Sequence, residues 1–292
     1  MHIKSLLKKI LKALRLDHQK VVKSIRVWSI NSSLSQSMTS LVERLKAIIP
    51  DISNQYSTND LSSDDYPGFK LRAQQAFQCS LMLKALTIFP LDKKIIVVDI
   101  GDSAGTHMLY LKELTKDKMK IDTISVNLDP QAIEKIRKRG LEAILSRAED
   151  LDLGKRKVDL FTTFEMVEHL HNPAIFFHRL AKKSECNKIV LTVPYLNASR
   201  VGLHSIRSKA YKAITAEKEH VFELNPHDWK LLFLHSGWNV VHDEIYYQYP
   251  KSIPVISNVL SWFWRTTDFE GFWGAILEKD TSFSELYQDW ED

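Results

Sequence analysis

Short apolar runs alternate with amphipathic segments from residue 94 onward. The apolar runs are rich in β-branched residues, which is typical of strands buried on both faces of a sheet. They are IIVVDI, IDTISVNL, LEAILS, VDLFTTFE and KIVLTVP. The segments between them show helical periodicity, and PQAIEKIRKRG has proline at its start and glycine at its end, as helices often do. This alternation predicts a parallel sheet covered by helices on both sides.

The last part of the chain departs from this order. NPHDWKLLFLHSGW predicts a helix, and WNVVHDEIYYQYP and FWGAILEKD predict two strands. The aromatic segment SNVLSWFWR separates these two strands. We expect the final strand to be inserted antiparallel. The chain is therefore predicted to be α/β, with a Rossmann-like, seven-stranded, mostly parallel sheet.

The chain before residue 94 has a different pattern. Residues 1–17, MHIKSLLKKILKALRLD, have apolar positions at steps of three and four, which predicts an amphipathic helix with a basic second face. Such a helix either caps the domain, the more common case, or makes a peripheral contact with an anionic membrane. Residues 31–69 are polar and predict a helix and a loop, whereas 70–86 is again helical. We therefore divide the chain into an N-terminal helical extension with a polar loop (1–69) and a Rossmann-like domain (70–292).

Charge is unevenly distributed along the chain. The net charge is +4, yet residues 1–26 hold eight basic residues against Asp17 alone, a net +7 that leaves −3 for the rest. A general nucleic-acid-binding surface is therefore not indicated. The two cysteines, Cys79 and Cys186, form no C-x-x-C pair, which argues for a reducing compartment. With no evident secretory signal or long apolar span, we expect a cytoplasmic protein.

The stretch VVDIGDSAGTH (97–107) follows the first predicted strand, at the sheet edge where ligands bind in folds of this type. Gly101 and Gly105 keep the outer positions of a D-x-G-x-G-x-G pattern that begins at Asp99, and Ser103 replaces the middle glycine. Glycine lets the backbone turn tightly and approach a ligand closely. The stretch lacks the G-K-[ST] of a P-loop and the spacing of a dinucleotide fingerprint.

Further motifs follow the next predicted strands. VNLDP ends the second strand, SRAEDL follows the third, and VDLFTTFEMVEHLHNP spans the fourth. In order and spacing, residues 94–245 resemble the class I S-adenosylmethionine-dependent methyltransferases, whose sheets also end in two strands with an antiparallel insertion. The likeness is to the branch that includes the ubiquinone-pathway O-methyltransferases and the small-RNA 2′-O-methyltransferases.

This resemblance implies a site for S-adenosylmethionine. The matching positions are Asp99, Gly101, Gly105, Asn127, Arg147, Ala148 and Phe164. By resemblance, the two glycines shape the loop around the methionine part, and Arg147 and Ala148 lie beside the adenine. Asn127 replaces the family's usual acidic partner of the ribose hydroxyls, and an amide can both donate and accept there. Phe164 would pack near the cofactor, and Arg72 is a looser match for the group that reaches its carboxylate.

Glu165, Glu168 and His169 form E-x-x-E-H directly after the fourth predicted strand. If the chain turns helically there, the three side chains share one side. Two carboxylates and an imidazole suit Mg²⁺, Mn²⁺ or Fe²⁺. The RNA-methylating relatives hold a divalent ion with this motif and a later histidine, and His220 lies in a segment that resembles theirs. The motif is also widespread in methyltransferases without an implied metal, where His169, with Glu168, would act as a general base or be a packed side chain.

The segment at about 195–223 is expected to cover the substrate. Its basic side chains are Arg200, Arg207, Lys209, Lys212 and Lys218. They suit a phosphate or carboxylate on the acceptor, although a solvated helix face has the same composition.

The most specific function predicted is O-methylation of a hydroxylated small molecule or sugar by an S-adenosylmethionine-dependent methyltransferase, of a surface-glycan or secondary-metabolite type. Two alternatives remain open. One is a metal-dependent RNA 2′-O-methyltransferase, indicated by E-x-x-E-H with His220. The other is a non-catalytic relative that binds the cofactor for structural reasons, indicated by Ser103 and Asn127.

Overall fold

The computed structural model describes most of the chain. The described residues are 17–53, 55, 66–203, 207–208, 214–215, 219–252 and 254–287. Apart from Asp17, the amphipathic helix predicted at residues 1–17 lies outside them. Three of the basic residues expected near the substrate, Lys209, Lys212 and Lys218, also lie outside them.

A seven-stranded sheet forms the centre of the fold. Its strands are β1 (Lys94–Ile100), β2 (Lys120–Asn127), β3 (Glu142–Leu145), β4 (Leu160–Phe164), β5 (Lys188–Pro194), β8 (Trp238–Tyr247) and β9 (Gly271–Lys279). Their spatial order is β3-β2-β1-β4-β5-β9-β8. The first five run parallel, and β9 lies antiparallel between β5 and β8. The predicted Rossmann-like sheet with an antiparallel final strand is confirmed.

Two further short strands, β6 (Arg200–Val201) and β7 (Phe222–Glu223), form a separate antiparallel pair. The hydrophobic pattern did not predict this pair, because two-residue strands leave no periodicity in a sequence. It lies within the segment expected to cover the substrate.

Helices cover both faces of the sheet. They are α1 (His18–Ser33), α2 (Gln36–Ile48), α3 (Tyr66–Leu86), α4 (Thr106–Thr115), α5 (Pro130–Lys138), α6 (Pro173–Lys183), α7 (Pro226–His235) and α8 (Pro254–Thr267). Proline begins α5, α6 and α7, where its missing N–H leaves no bond unmade. Just before each proline, Asp129, Asn172 or Asn225 accepts a hydrogen bond from the first helical turn. These side chains fix where each helix begins.

The polar region before residue 70 is more helical than its composition indicated. The prediction assigned 31–69 to one helix and a loop, and α1 was not predicted. Asp17 caps α1 by accepting from the Gln19 N–H (2.9 Å). The apolar stripe of α1 is short, since Ile30 is its one fully buried apolar residue. A stripe this short gives too weak a periodic signal to identify a helix.

Two apolar clusters flank the sheet. One lies between the sheet and the helices α3, α4 and α5, and includes Phe77, Leu81 and Val97. The other lies beneath α6 and α7, and includes Phe176 and Phe233. Buried residues of α1, α2 and α8 join the first cluster. The N-terminal helices therefore share the core of the Rossmann-like domain.

Helix α3 is buried on nearly every side. Its buried polar residues are Arg72, Gln74, Gln75 and Gln78. Buried polar groups need partners, and Gln78 donates to the Thr192 hydroxyl on β5 (3.0 Å) and lies 2.8 Å from His107 on α4.

In the described part of the chain, neither this helix nor any other has the length and apolar character needed to cross a bilayer.

The contact between α3 and β9 leads to a stability prediction. A Cβ at Gly274 would lie 2.8 Å from Phe77 Cζ and closer still to Leu81, and both side chains are buried. We expect Gly274→Ala to lower the free energy of unfolding by about 1–3 kcal/mol through overpacking. Urea unfolding measures this, with Gly154→Asn as control, because Gly154 faces open space with a positive φ that asparagine tolerates. Equal stability of both variants would contradict tight packing at Gly274.

Candidate functional site

The glycine loop after β1 is shaped by two close contacts. Gly101 has φ +96°, and a Cβ there would lie 2.6 Å from Met166 Cγ. Gly105 has φ +73°, and a Cβ there would lie 2.6 Å from Leu141 Cδ1. Both positions combine a left-handed backbone with a side chain directly against it, so glycine is required at each.

Ser103 fits the loop without backbone strain. Its φ is not positive, in contrast to Gly101 and Gly105. A side chain is therefore tolerated at this position, where the pattern usually has glycine. Its hydroxyl accepts a hydrogen bond from Gln55 Nε2 (2.9 Å). Gln55 belongs to the polar region before α3, and nothing in the sequence linked it to the loop. The serine substitution is thus compatible with a working loop.

Asp102 is the main residue of the loop that sequence reasoning missed. The side chain is buried, and Oδ1 accepts from the N–H groups of Gly105 (2.7 Å) and Ala104 (3.2 Å). Oδ2 accepts from the Ser125 hydroxyl on β2 (2.7 Å). Burial, and then the nearby charge of Asp99, raise the pKa of Asp102 to about 6, against the opposing effects of His107 and of its hydrogen bonds from Ser125 and Gly105.

This carboxylate determines which cofactors suit the loop. In dinucleotide-binding folds the backbone N–H groups at this turn hold a pyrophosphate. Here Asp102 occupies N–H groups of the turn and places negative charge beside it. A phosphate would be repelled, whereas a cationic sulfonium would be attracted. The electrostatics of the loop therefore favour S-adenosylmethionine over NAD.

Asn127, at the end of β2, supports the loop from the side. Its Nδ2 donates to the carbonyl of Asp102 (2.9 Å), and its Oδ1 accepts from the N–H of Asp129 (2.8 Å). An ionised carboxylate could not donate to that carbonyl. The amide thus has a structural role at this position, and its contact with the ribose stays a prediction.

The other matched residues lie at the ends of the neighbouring strands. Asp99 is buried and accepts from the Thr162 hydroxyl on β4 (2.8 Å). Phe164, the last residue of β4, is buried. Arg147, after β3, is more than half exposed, and Ala148 packs against the second apolar cluster. All of them lie along the carboxyl edge of the sheet.

Arg72 makes several hydrogen bonds within the protein. Its guanidinium donates to the Tyr110 hydroxyl (2.6 Å) and to the carbonyls of Pro50 (2.8 Å) and Ile49. These bonds join α3 to α4 and to the end of α2. These bonds give Arg72 a structural role, and its contact with a cofactor carboxylate stays a prediction.

The E-x-x-E-H segment forms a turn other than the one predicted. Glu165 has φ 51°, which is uncommon for a residue with a side chain, and a 3₁₀ turn at Val167–His169 replaces the expected helical turn. Glu168, His169 and His220 come together, with one nitrogen or oxygen of each within 4.8 Å of the others. Glu165 lies outside this group, because the left-handed residue breaks the helical spacing.

A single family model matches a stretch of the chain that contains both the glycine loop and this turn. The family model described as "Methyltransferase domain" matches residues 71–243. The chain belongs to this methyltransferase family. The enzyme is a class I S-adenosylmethionine-dependent methyltransferase, in agreement with its sheet order and the charge of its loop. No curated protein matches the chain.

Solved structures resemble this methyltransferase at low sequence identity. The 1,6-didemethyltoxoflavin-N1-methyltransferase of Burkholderia thailandensis, with bound 1,6-didemethyltoxoflavin and S-adenosylhomocysteine, has a TM-score of 0.51 and 12% identity, and the match covers 85% of this chain and 92% of that one. The [4+2]-cyclase SpnF has a TM-score of 0.50 and 12% identity, over 85% and 97% of the two chains. Identities this low show the fold alone, and the fold does not determine the acceptor.

Two buried carboxyls lie beside the methyltransferase loop. Burial raises the pKa of Glu165 to about 8, against the effects of Thr192, Lys70 and Gln74. Burial, and then the charge of Glu165, raises the pKa of Glu168 well above its usual range. Neither carboxyl oxygen of Glu168 has a hydrogen-bond partner among the described residues. The raised pKa of each group favours the neutral form, in which a carboxyl can donate a hydrogen bond.

The same residues are chemically suited to a divalent cation. The unpartnered oxygens of Glu168 lie beside the imidazoles of His169 and His220, a mixture of oxygen and nitrogen ligands that suits Mn²⁺ or Fe²⁺. A bound cation would favour the charged form of Glu168 and offset the cost of its burial. The residues present therefore fit such an ion.

His169 is held by the segment that crosses the turn. Its Nδ1 lies 3.0 Å from the carbonyl oxygen of Glu219, and the Val221 N–H donates to the carbonyl of Glu168 (2.8 Å). A ring nitrogen that faces a carbonyl carries the proton, which places the lone pair on Nε2. The ring centre of His220 lies 4.7 Å from that of His169. The turn and the 219–221 segment thus fix both the orientation and the tautomer of His169.

Two of the basic residues that were expected near the substrate make ion pairs or hydrogen bonds with other groups of the protein. Arg200 pairs with Glu223 across the β6–β7 strands. Arg207 donates to the carbonyls of Gly202 (2.7 Å) and Val201. These arginines stabilise the covering segment, and a contact with an anionic acceptor stays a prediction.

The charge of Asp102 predicts a pH-dependent preference between cofactor and product. With a pKa of about 6, the carboxyl is neutral below that pH and negative above it. Because the sulfonium is positive and the thioether of S-adenosylhomocysteine is neutral, we expect the affinity for S-adenosylmethionine to rise about three- to tenfold from pH 5 to pH 7.5, with little change for the product. Calorimetric titration measures both affinities.

Two variants separate Asp102 from other titrating groups. Asp102→Asn should remove the pH dependence, while Asp122→Asn, an exposed carboxyl near the opposite end of β2, should keep it. If both ligands respond equally to pH, or if Asp102→Asn still shows the rise, the charge of Asp102 does not favour the sulfonium.

Proposed function

We propose that the enzyme transfers a methyl group to an oxygen of a hydroxylated small molecule or sugar in the cytoplasm. The orientation of His169, with Nδ1 facing the Glu219 carbonyl and the lone pair on Nε2, supports this proposal. A neutral imidazole at the carboxyl edge of the sheet is suited to accept the proton of a hydroxyl. Residues 70–292 would form the catalytic domain, with 1–69 as its N-terminal extension.

The cofactor is proposed to bind along the ends of the first four strands. Asp99, Gly101 and Gly105 would surround the methionine part, and Asn127 the ribose. Arg147 and Ala148 would lie at the adenine, and Phe164 near the sulfur. S-adenosylmethionine supplies an electrophilic methyl group there.

The residues around the acceptor would have two tasks, removal of the hydroxyl proton and orientation of the attacking oxygen. The acceptor oxygen attacks the methyl carbon in line with the carbon–sulfur bond, whose electron pair stays on sulfur. The hydroxyl proton moves to Nε2 of His169. Glu165 and Glu168, as neutral carboxyls, would donate hydrogen bonds to further oxygens of the acceptor, which favours a polyhydroxylated molecule. Two-point contact would orient the attacking oxygen.

A metal-dependent RNA 2′-O-methyltransferase is the second candidate. The grouping of Glu168, His169 and His220 within 4.8 Å supports it. The charge of −3 outside residues 1–26 argues against an RNA surface on the domain. The third alternative, a non-catalytic relative, loses one of its supports because Ser103 fits the loop without strain.

Two histidine variants, one at His169 and one at the neighbouring His171, test whether His169 is the base. His169→Gln should lower kcat by about 10²–10⁴-fold, since an amide cannot take up the proton, while the Kd for S-adenosylmethionine stays the same. Transfer of labelled methyl groups to a panel of sugars, phenols, amines and RNA ends gives the acceptor and the rate. His171→Gln, at an exposed neighbouring histidine, is the control. Equal rates for the two variants would exclude His169 as the base.

Removal of metal separates the two candidate functions. For small-molecule O-methylation with His169 as base, we expect kcat to be unchanged after treatment with chelator and after addition of Mn²⁺. For the metal-dependent alternative, chelation should abolish transfer and Mn²⁺ should restore it. Glu168→Gln with added Mn²⁺ gives a further check, because loss of a ligand typically weakens metal binding.

A further inference from the structure

Two buried carboxyl groups lie close together at the glycine loop. Asp99 belongs to β1 and Asp102 to the loop itself, and both side chains are buried. Asp99 Oδ1 accepts from the Thr162 hydroxyl (2.8 Å), whereas Asp99 Oδ2 has no hydrogen-bond partner among the described residues. Two negative charges that are buried side by side repel each other, and a positive partner would offset this repulsion.

His107, on the first turn of α4, lies next to this pair of carboxyls. One nitrogen of its ring and one oxygen of each carboxyl lie within 4.8 Å of one another. His107 Nδ1 lies 3.5 Å from Asp99 Oδ2, the oxygen without another partner. Only 12% of the His107 side chain is exposed, so solvent screens this interaction little.

Two other titratable side chains near the pair are engaged elsewhere or neutral. Arg139, directly after α5, donates to the Ala104 carbonyl (2.7 Å) and to the Thr106 hydroxyl (3.0 Å). Cys79, on α3, is buried, and burial and the charge of Asp99 raise the pKa of its thiol, which keeps it neutral. His107 is therefore the side chain that is placed to balance the two carboxyls.

Gln78, on α3, fixes the orientation of the His107 ring. Gln78 Nε2 donates to the Thr192 hydroxyl (3.0 Å), which leaves the amide oxygen to face His107 Nε2 at 2.8 Å. A ring nitrogen that faces this oxygen carries a proton. Nδ1, on the other side of the ring, faces a carboxyl oxygen of Asp99. The protonated and positively charged ring therefore satisfies both neighbours, because it donates from both nitrogens.

The same ring joins the glycine loop to the end of β4. Its centre lies 4.7 Å from the ring centre of Phe164, which is proposed to lie near the cofactor sulfur. The next residue, Glu165, donates its N–H to the Thr192 carbonyl (2.9 Å). His107 and Gln78 thus connect the loop after β1 with the strand ends on either side of the turn after β4.

We propose that His107 is a positioning residue for the cofactor, because its positive charge, held in place by Gln78, stabilises the charged forms of Asp99 and Asp102. Burial and then the charge of Asp99 raise the pKa of Asp102 to about 6, and the charge of His107 opposes this rise. The charged Asp102 accepts from two backbone N–H groups of the loop. His107 would therefore act on the cofactor through Asp102, and the proposal does not depend on the methyl acceptor.

Titration of the Asp102 carboxyl tests this proposal directly. Carbon-13 NMR of protein labelled at the aspartate carboxyls follows the titration, and Asp102→Asn identifies the signal. We expect a midpoint near pH 6 in the wild type. His107→Gln keeps a hydrogen-bonding side chain without the charge and should raise the midpoint by about one pH unit. His107→Lys keeps a positive charge and should return the midpoint towards the wild-type value. An unchanged midpoint in His107→Gln would overturn the proposal.

The affinity for S-adenosylmethionine shows whether this charge reaches the cofactor. When the pKa of Asp102 is higher, its carboxyl becomes negative at a higher pH. The rise in affinity expected between pH 5 and pH 7.5 should therefore move to higher pH in His107→Gln, by the same amount as the carboxyl midpoint. His171→Gln, at an exposed histidine, should keep the wild-type profile. If His107 only packs against its neighbours, its variant changes the affinity equally at every pH, and that result would overturn the proposal.

Two glutamines of α3 separate the orientation of His107 from the packing of the helix. Gln78→Leu removes the oxygen that faces His107 Nε2 and should raise the Asp102 midpoint, although by less than His107→Gln does. Gln75→Leu is the matched control, because Gln75 is also buried but its oxygen accepts from the Tyr110 hydroxyl (3.2 Å). Equal midpoints in the two glutamine variants would contradict the role of Gln78.

A measurement on the wild type keeps the proposal testable if His107→Gln does not fold. Nitrogen-15 NMR of protein with labelled histidine reports which ring nitrogens carry protons. We expect a proton on Nε2 of His107, where the ring faces the oxygen of Gln78. An Nε2 without a proton would overturn the proposed orientation and the charge that depends on it.

Discussion

The hydrogen bonds of the buried Asp102 carboxylate hold the cofactor loop in one conformation. Its two oxygens join the N–H groups of Gly105 and Ala104 to the hydroxyl of Ser125, and its carbonyl is bonded by Asn127. The loop at the end of β1 is thereby tied to the end of β2. The cost is a desolvated carboxyl, which its hydrogen bonds only partly offset. The same charge would favour a cationic cofactor, so one interaction would serve both conformation and selectivity.

The turn after β4 contains a second group of buried carboxyls, and these have fewer partners. Burial disfavours the charged forms of Glu165 and Glu168, and the charge of Glu165 adds to this effect at Glu168. The backbone at Glu165 is left-handed without being glycine. Unfavourable conformations and unpartnered polar groups persist where the surrounding structure enforces them, often at functional sites. Here the enforcing contacts are Met166 against Gly101 and the 219–221 segment across the turn. The proposed acceptor site is thus packed directly on the glycine loop.

The N-terminal helices complete the site, although the sequence places them outside the domain. Ile30, Val42 and Leu45 join the core beside α3, and Gln55 reaches the glycine loop at Ser103. Arg72 connects α3 to the end of α2 by bonding the carbonyls of Ile49 and Pro50. The extension therefore contributes both packing and polar contacts to the catalytic end of the sheet.

Local patterns in the chain were enough to predict the sheet, the antiparallel final strand and the loop at Gly101 and Gly105, because periodicity and turn residues act over short distances. Position within E-x-x-E-H likewise predicted Glu168 and His169 as site residues, and their roles stay predictions. The roles of Asp102, Gln55 and Arg72 followed only from tertiary structure, since desolvation and partners depend on segments distant in sequence. The same holds for the approach of His220 to His169 and for the separation of Glu165 from that group. Sequence spacing specifies which side chains share an element, whereas burial and packing between elements decide which of them meet.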